Sequence, residues 1–247
     1  MTFKDHFSAR SSDYAAYRPT YPAALVDYLA GLCRTTDTVL DVGCGTGQLS
    51  VLLAERFGSV IATDASRKQI ESAVQHDRVS YRVAPAEQSG LPSQSVDLIT
   101  VAQAAHWFDL PAFYKEARRV GKPGAILALI TYGVIEADSE IDPVIRRFYK
   151  DVIGPYWPPE RRHVEEGYRS FDFPFEELST PAMAITVEWR ADDLIGYADT
   201  WSAVREAERV LGRQPIEQFA SDLRSAWGSP DRRREIRFPL SFRIGRL

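Results

Sequence analysis

Val39-Leu40-Asp41-Val42-Gly43-Cys44-Gly45-Thr46-Gly47 is the stretch on which the fold turns: a run with buried-strand character enters three glycines, and a helical pattern follows. In that pattern Leu49, Leu52, Leu53 and Phe57 recur at helical spacing over residues 48–57. The order is therefore strand, loop, helix. Glycine permits positive φ and leaves no Cβ in the way of an approaching ligand. A dinucleotide fingerprint needs glycines at relative positions 1, 3 and 6. Here Gly47 falls at the fifth position and Gln48 at the sixth, which disfavours NAD. A phosphate-binding P-loop needs Gly-Lys-Ser or Gly-Lys-Thr at the helix start, and no lysine follows Gly47. Asp64 stands at the end of the next strand pattern, about 20 positions on, where a carboxylate can accept both ribose hydroxyls. An adenosyl ligand without phosphates fits this pair of anchors. It would lie across the carboxyl ends of the strands, at the switch point of a parallel sheet.

Outward from the loop, short β-branched runs alternate with longer helical patterns, the signature of βαβ units. Strands are predicted at 38–42, 59–63, 79–84, 96–101 and 125–131. Ser66 is an expected N-cap for a helix reaching about residue 74, and 110–120 forms a helix with Phe113, Ala117 and Val120 on one face. After residue 131 the pattern predicts a helix over 141–152, then an aromatic, Pro- and Arg-rich stretch, 156–174, without periodicity. That stretch reads as an insertion or lid. Strands at 183–189 and 236–244, with helical segments near 191–211 and 215–227 between them, can complete the same sheet.

Composition narrows the function. The 247 residues carry 30 Lys and Arg against 34 Asp and Glu, a net charge of −4, too balanced for a dedicated duplex-DNA or polybasic membrane binder. With two cysteines, Cys33 and Cys44, neither a disulfide framework nor a cysteine-based metal site is expected, and no metal is implied. The longest apolar run, residues 125–130, is far short of a membrane span, and Thr2 to His6 carry no apolar leader. The expectation is a soluble, cytoplasmic protein of one domain over 1–247, with neither nucleic acid nor membrane as partner and its oligomeric state open.

Leu40 to Gly47 resembles the first motif of the class I S-adenosylmethionine-dependent methyltransferases. The similarity continues at Asp64, at Ala84-Pro85-Ala86-Glu87 before Leu91-Pro92, at Val96-Asp97-Leu98-Ile99 leading into Ala104-Ala105-His106-Trp107, and over 110–124. The family resemblance implies a Rossmann-like α/β fold: a seven-stranded mixed sheet with helices on both faces and its last strand antiparallel, plus a lid inserted after the fifth strand. The core would be 33–131, the lid 132–180, and 181–247 would complete the sheet. Phe7 to Arg10, Tyr14, Tyr17-Arg18-Pro19 and Tyr21-Pro22, with His106-Trp107-Phe108-Asp109 and Tyr156-Trp157-Pro158, look like the branch of the trans-aconitate methyltransferases and similar small-molecule enzymes.

This resemblance implies S-adenosyl-L-methionine as cofactor, held by Gly43, Cys44, Gly45, Gly47, Asp64, Ala65, Gln69, Ala86, Glu87, Gln103 and Ala104. Residues 1–22 would form a flap, with Tyr14 over the cofactor and Arg18 pairing with the methionine carboxylate. Asp41 either supports the loop or meets the methionine amino group, and the Cys44 thiol is a filler rather than a nucleophile. His106 follows the fourth strand, where it either takes a proton as general base or holds the loop and orients the acceptor. Tyr21, Trp107, Tyr156, Trp157, Arg161 and Arg162 are candidate contacts to a small-molecule acceptor, for which O-methylation of an organic acid is the leading reading. The alternatives are methylation of an aromatic or other metabolite at O, N or C, and a non-catalytic module that binds S-adenosylmethionine.

Overall fold

The computed structural model describes residues 19–247. Tyr14, Arg18 and most of the expected flap lie outside the described residues. In chain order the elements are α1 (Ala23–Leu32), β1 (Thr38–Val42), α2 (Gln48–Leu53), β2 (Ser59–Asp64), α3 (Arg67–Glu71), β3 (Val79–Val83), β4 (Val96–Ala102), α4 (Leu110–Val120) and β5 (Gly121–Tyr132). There follow α5 (Asp142–Arg147), α6 (Arg161–Glu165), β6 (Glu176–Glu177), β7 (Ala184–Trp189), α7 (Ala191–Asp199), α8 (Ser202–Leu211), α9 (Gln214–Trp227) and β8 (Arg234–Arg246).

One mixed sheet runs in the order β3-β2-β1-β4-β5-β8-β6, with β7 paired to β8 off that path. β3 to β5 pair in parallel, while β8 is antiparallel to β5, as the family fold requires. The expected seven strands are joined by the two-residue β6 at the edge of β8. Alternation along the strands divides the core between two faces. Val39, Leu98 and Ile126 pack on one side with Leu25, Leu29 and Phe57; Leu40, Ile99 and Leu127 pack on the other with Phe113 and Ala117. β8 serves two partners in turn. Its residues from Arg234 to Pro239 pair with β7, and those from Leu240 to Arg246 pair with β5.

α4 begins where its sequence says it should. Asp109 caps it by accepting the Ala112 amide at 3.3 Å, Pro111 sits in the first turn, and Phe113, Ala117 and Val120 are buried on one face. Three expectations change in detail. α1, a helix with Leu25, Val26 and Leu29 buried, was not anticipated. The helix expected over 141–152 is α5 followed by a wider π turn at Phe148–Val152. The segment expected over 191–211 is divided, because Trp201 takes an extended conformation, φ −69° and ψ 139°, and buries its indole between α7 and α8. Within the aperiodic stretch the structure adds α6 and a short 3-10 turn, Gly154–Tyr156.

Candidate functional site

Strand order reverses between β1 and β4, and the glycine loop and residues 103–107 meet there, at the carboxyl ends of these strands. Gly43, Gly45 and Gly47 all have positive φ, at 67°, 57° and 85°. Their surroundings differ. A Cβ on Gly43 would stand 2.5 Å from the Ala104 Cβ, so this glycine lets the turns after β1 and β4 touch, whereas a Cβ on Gly45 would meet nothing within 4 Å. Gly45 is thus an open backbone cradle. The Asp64 carboxylate accepts the Gly45 amide at 2.9 Å and the Ser66 amide at 2.8 Å, which fixes it at the mouth of that cradle. On α3, Gln69 is buried and its Oε1 has no hydrogen-bond partner among the described residues. An open glycine, a fixed carboxylate and an orphaned amide oxygen match the chemistry of a nucleoside ligand. Ala65 is exposed beside Asp64, Ala86 is buried after β3, and Glu87 accepts the Asp109 amide at 3.0 Å, joining that loop to the start of α4.

Asp41 is enclosed. One oxygen accepts the Ser50 hydroxyl at 2.6 Å and the other the Thr100 hydroxyl at 2.8 Å, tying β1 to α2 and β4. Burial pushes its pKa up to about 6 against the two hydroxyl hydrogen bonds, with a smaller push from the Asp64 charge. The same burial, with the Asp41 and Asp64 charges, raises the Cys44 thiol far above its usual range. A pH effect on stability follows. Between about pH 4 and 6 the folded state keeps a proton on Asp41 that the unfolded chain has lost, so this residue's contribution to stability falls as pH rises through that window. Asp41→Asn preserves the shape without the titration. The melting temperature of the variant minus that of wild type should rise from pH 4 to pH 6 and level off above; thermal melts in which the difference stays flat or falls would contradict this assignment.

Beside the loop, a cavity of ≈ 80 Å³ is lined by Gln103, His106 and Trp107 after β4, Tyr132 to Val134 after β5, Tyr149, Trp157, Pro158 and Arg161 beyond, and Tyr197 with Thr200 to Ser202 at the α7–α8 break. Its wall is aromatic. Trp157 lies 4.9 Å from Tyr149 and 5.9 Å from Trp201, and Trp201 meets Tyr197 edge-on at 5.7 Å. Arg161 is the cation in this wall. Its guanidinium sits 4.7 Å over the Trp157 ring, and its Nε donates to the Tyr149 hydroxyl at 2.7 Å. Among the described residues no carboxylate forms an ion pair with it. By contrast Arg162 is exposed, pairs with Glu166 at 3.6 Å and does not line the cavity. Tyr21 is buried near Tyr132, their rings 6.5 Å apart, and Tyr156 packs on the core; neither lines the cavity.

Gln103 has φ +57° and uses its amide to hold the strand end: Nε2 donates to the Tyr132 carbonyl and Oε1 accepts from Thr131. His106 rests in a 3-10 turn with its Nδ1 3.0 Å from the Tyr168 hydroxyl. Burial, then the positive charges of Arg161 and His163, push its pKa down to about 3, so it is neutral at physiological pH. Sequence reading missed Tyr168, Tyr149, Tyr197 and Trp201. The density of aromatics over 148–157 and 197–201 was the available signal.

A family model described as a methyltransferase domain matches residues 40–129. The chain is 34% identical to a candidate methyltransferase of Dictyostelium discoideum over 233 residues, covering 93% of this chain and 89% of that one. An uncharacterized methyltransferase of Mycobacterium tuberculosis is 36% identical over 127 residues, about half of each chain. Among solved structures, a candidate type II methyltransferase from Anaeromyxobacter dehalogenans superposes with a TM-score of 0.89 at 47% identity, covering 93% of this chain and 97% of that one. No helix of the described residues is long and apolar enough to cross a membrane.

Proposed function

The chain belongs to the class I S-adenosylmethionine-dependent methyltransferases, and from that premise we propose that it methylates an oxygen of a small organic acid bound in the aromatic cavity beside the glycine loop. The observation that carries this reading is Arg161: a cation set in an aromatic wall, without an acidic partner among the described residues, next to the carboxyl end of β4. A half-buried guanidinium that forms no ion pair with a carboxylate among the described residues is suited to hold a carboxylate as a fork. The trans-aconitate-like branch is proposed on the same ground, together with residues 132–180 acting as a cap. Both cysteines are free thiols, which supports a cytoplasmic setting.

S-Adenosyl-L-methionine is the cofactor, and it supplies a methyl group on a positively charged sulfur that leaves as a neutral thioether after in-line displacement. Gly45 and Asp64 would hold its nucleoside part, with Gln69 available to an amide or hydroxyl donor. Trp157, Trp201 and Tyr149 would exclude water and stack on the body of the acceptor. Arg161 would fix one carboxylate and so aim the reacting oxygen. Among the side chains lining the cavity there is neither a carboxylate nor a lysine, and neutral His106 is a weak base. A nucleophile that arrives already deprotonated, as a carboxylate does, suits this lining of described residues.

The experiment is a panel of small mono-, di- and tricarboxylic acids, phenols and amines, read by release of S-adenosylhomocysteine and by the mass of the ester. An acid is expected to turn over with a kcat/KM nearly flat from about pH 6 to 8, since neither it nor His106 titrates there. Turnover confined to phenols or amines, rising with pH, would overturn the proposal.

A further inference from the structure

We propose that Tyr168 is a positioning residue: its hydroxyl donates to His106 Nδ1, fixes the imidazole with its proton on Nε2, and presents His106 to the acceptor as a hydrogen-bond donor. The inference rests on the reading of the aromatic cavity as the acceptor site. Tyr168 is fully buried and outside the cavity lining, whereas His106 lines the cavity, so the ring turns Nδ1 inward and its opposite edge to the acceptor. The backbone amides of Ala105 and His106 lie beside the phenol oxygen, and the neighbouring Thr131 hydroxyl gives its own proton to Gln103. That leaves Thr131 Oγ1 and His106 Nδ1 as acceptors for the Tyr168 proton, and among the described residues Nδ1, at 3.0 Å, is the one in hydrogen-bond geometry with it. Burial raises the phenol further above its usual range, which keeps that proton in place.

The surroundings hold Tyr168 where a loop tyrosine would not otherwise stay. Its φ is +61°, in the left-handed region that a bulky side chain rarely occupies. Gly167 before it shares that conformation, with a virtual Cβ only 2.8 Å from Ser241 on β8. Arg243, also on β8, donates to the Tyr168 carbonyl at 2.9 Å and to that of Phe171 at 3.2 Å, while pairing with Glu177. The Tyr168 amide bonds the His163 carbonyl at 2.8 Å, and its ring stacks on Phe171 at 4.8 Å. A backbone conformation this unfavourable, braced from β8 and α6, puts one hydroxyl against one imidazole nitrogen. The charges facing that imidazole, Arg161 and His163, disfavour the imidazolium. The Nε2–H would hold the other oxygen of a reacting carboxylate and so orient it, a role that needs no proton transfer.

The test is nitrogen-15 NMR of histidine-labelled protein with bound S-adenosylhomocysteine, His106 being assigned with His106→Gln. Wild type is expected to show one tautomer, protonated on Nε2 and unchanged from about pH 5.5 to 8. Tyr168→Phe should give a tautomer mixture; if that variant does not fold, the wild-type spectrum decides alone. A wild-type spectrum with the proton on Nδ1, a mixture of tautomers, or an imidazolium forming in that range overturns the proposal. Turnover gives the second readout with whichever acid the panel identifies. His106→Gln keeps an amide donor near the Nε2 position and should retain activity within about tenfold, while His106→Leu should fall about 10- to 100-fold further. Equal loss in both variants overturns the donor role. An uncharged acceptor would sink the organic-acid reading while leaving the tautomer as the spectrum reports it, so the two failures are distinguishable.

Discussion

Asp64→Ala is expected to weaken S-adenosylmethionine binding by about 100-fold or more, on the order of 3 kcal/mol, the largest single effect on the cofactor. The carboxylate acts twice. It accepts the Gly45 and Ser66 amides at 2.9 and 2.8 Å, which shapes the glycine loop, and in the proposed complex it would also accept from the ribose hydroxyls. Alanine removes both sets of charge-assisted bonds and strands the donors on each side. Asp64→Asn keeps the shape and one acceptor oxygen, so its affinity should lie between those of alanine and wild type. Titration calorimetry with S-adenosylhomocysteine gives the numbers, and the ligand-induced rise in melting temperature should disappear in the alanine variant. Unchanged affinity in Asp64→Ala would remove Asp64 from the cofactor site.

Arg161→Ala is expected to raise KM for the acid acceptor by about 30- to 100-fold, the worth of one charged fork of hydrogen bonds, with a smaller fall in kcat and unchanged affinity for S-adenosylhomocysteine. Arg161 also packs on Trp157 and bonds Tyr149, whose hydroxyl donates to Glu165 at 2.6 Å, so a modest fall in melting temperature should accompany the kinetic change. Arg161→Lys keeps the charge without the fork and should recover part of KM. Arg162→Ala is the internal control: exposed and paired with Glu166, it should leave KM within about twofold. Equal effects from both alanine variants would point to a diffuse charge effect rather than a seated carboxylate, and full activity in Arg161→Ala would move the acceptor's acid group elsewhere.

The arrangement also separates the roles of the two halves of the crevice. On the β1–β2 side the contact that shapes the glycine loop, Asp64 to Gly45, joins residues 19 positions apart. On the β4–β5 side the polar contacts cross long stretches of chain, as with His106 to Tyr168 and Gln103 to Tyr132. In the proposed reading the first side would seat the nucleoside, and specificity for the acceptor would belong to the second.

That difference explains what could be read from the residues in order. The parallel strands, the loop with Gly43, Gly45 and Gly47, the carboxylate at Asp64 and the cap at Ser66 are all local patterns: alternation, turn chemistry and spacing within a few tens of residues, which the chain carries without knowledge of its partners. They determined the fold and the side of the sheet on which the cofactor is proposed to bind. The cavity wall had no such pattern. Trp201 interrupts what reads as one continuous helical segment because its indole finds Tyr149, Trp157 and Tyr197, residues distant in sequence. His106 reads as a general base or as a residue that holds the loop and orients the acceptor until burial, the charges of Arg161 and His163, and the hydroxyl of Tyr168 are placed around it. Arg161 and Arg162 are indistinguishable neighbours in the sequence, and only the turn of α6 puts one in the aromatic wall and the other in water. Desolvation, proton position and the side of a helix that meets a cavity depend on contacts between distant segments, so tertiary structure alone decided the acceptor half of the site.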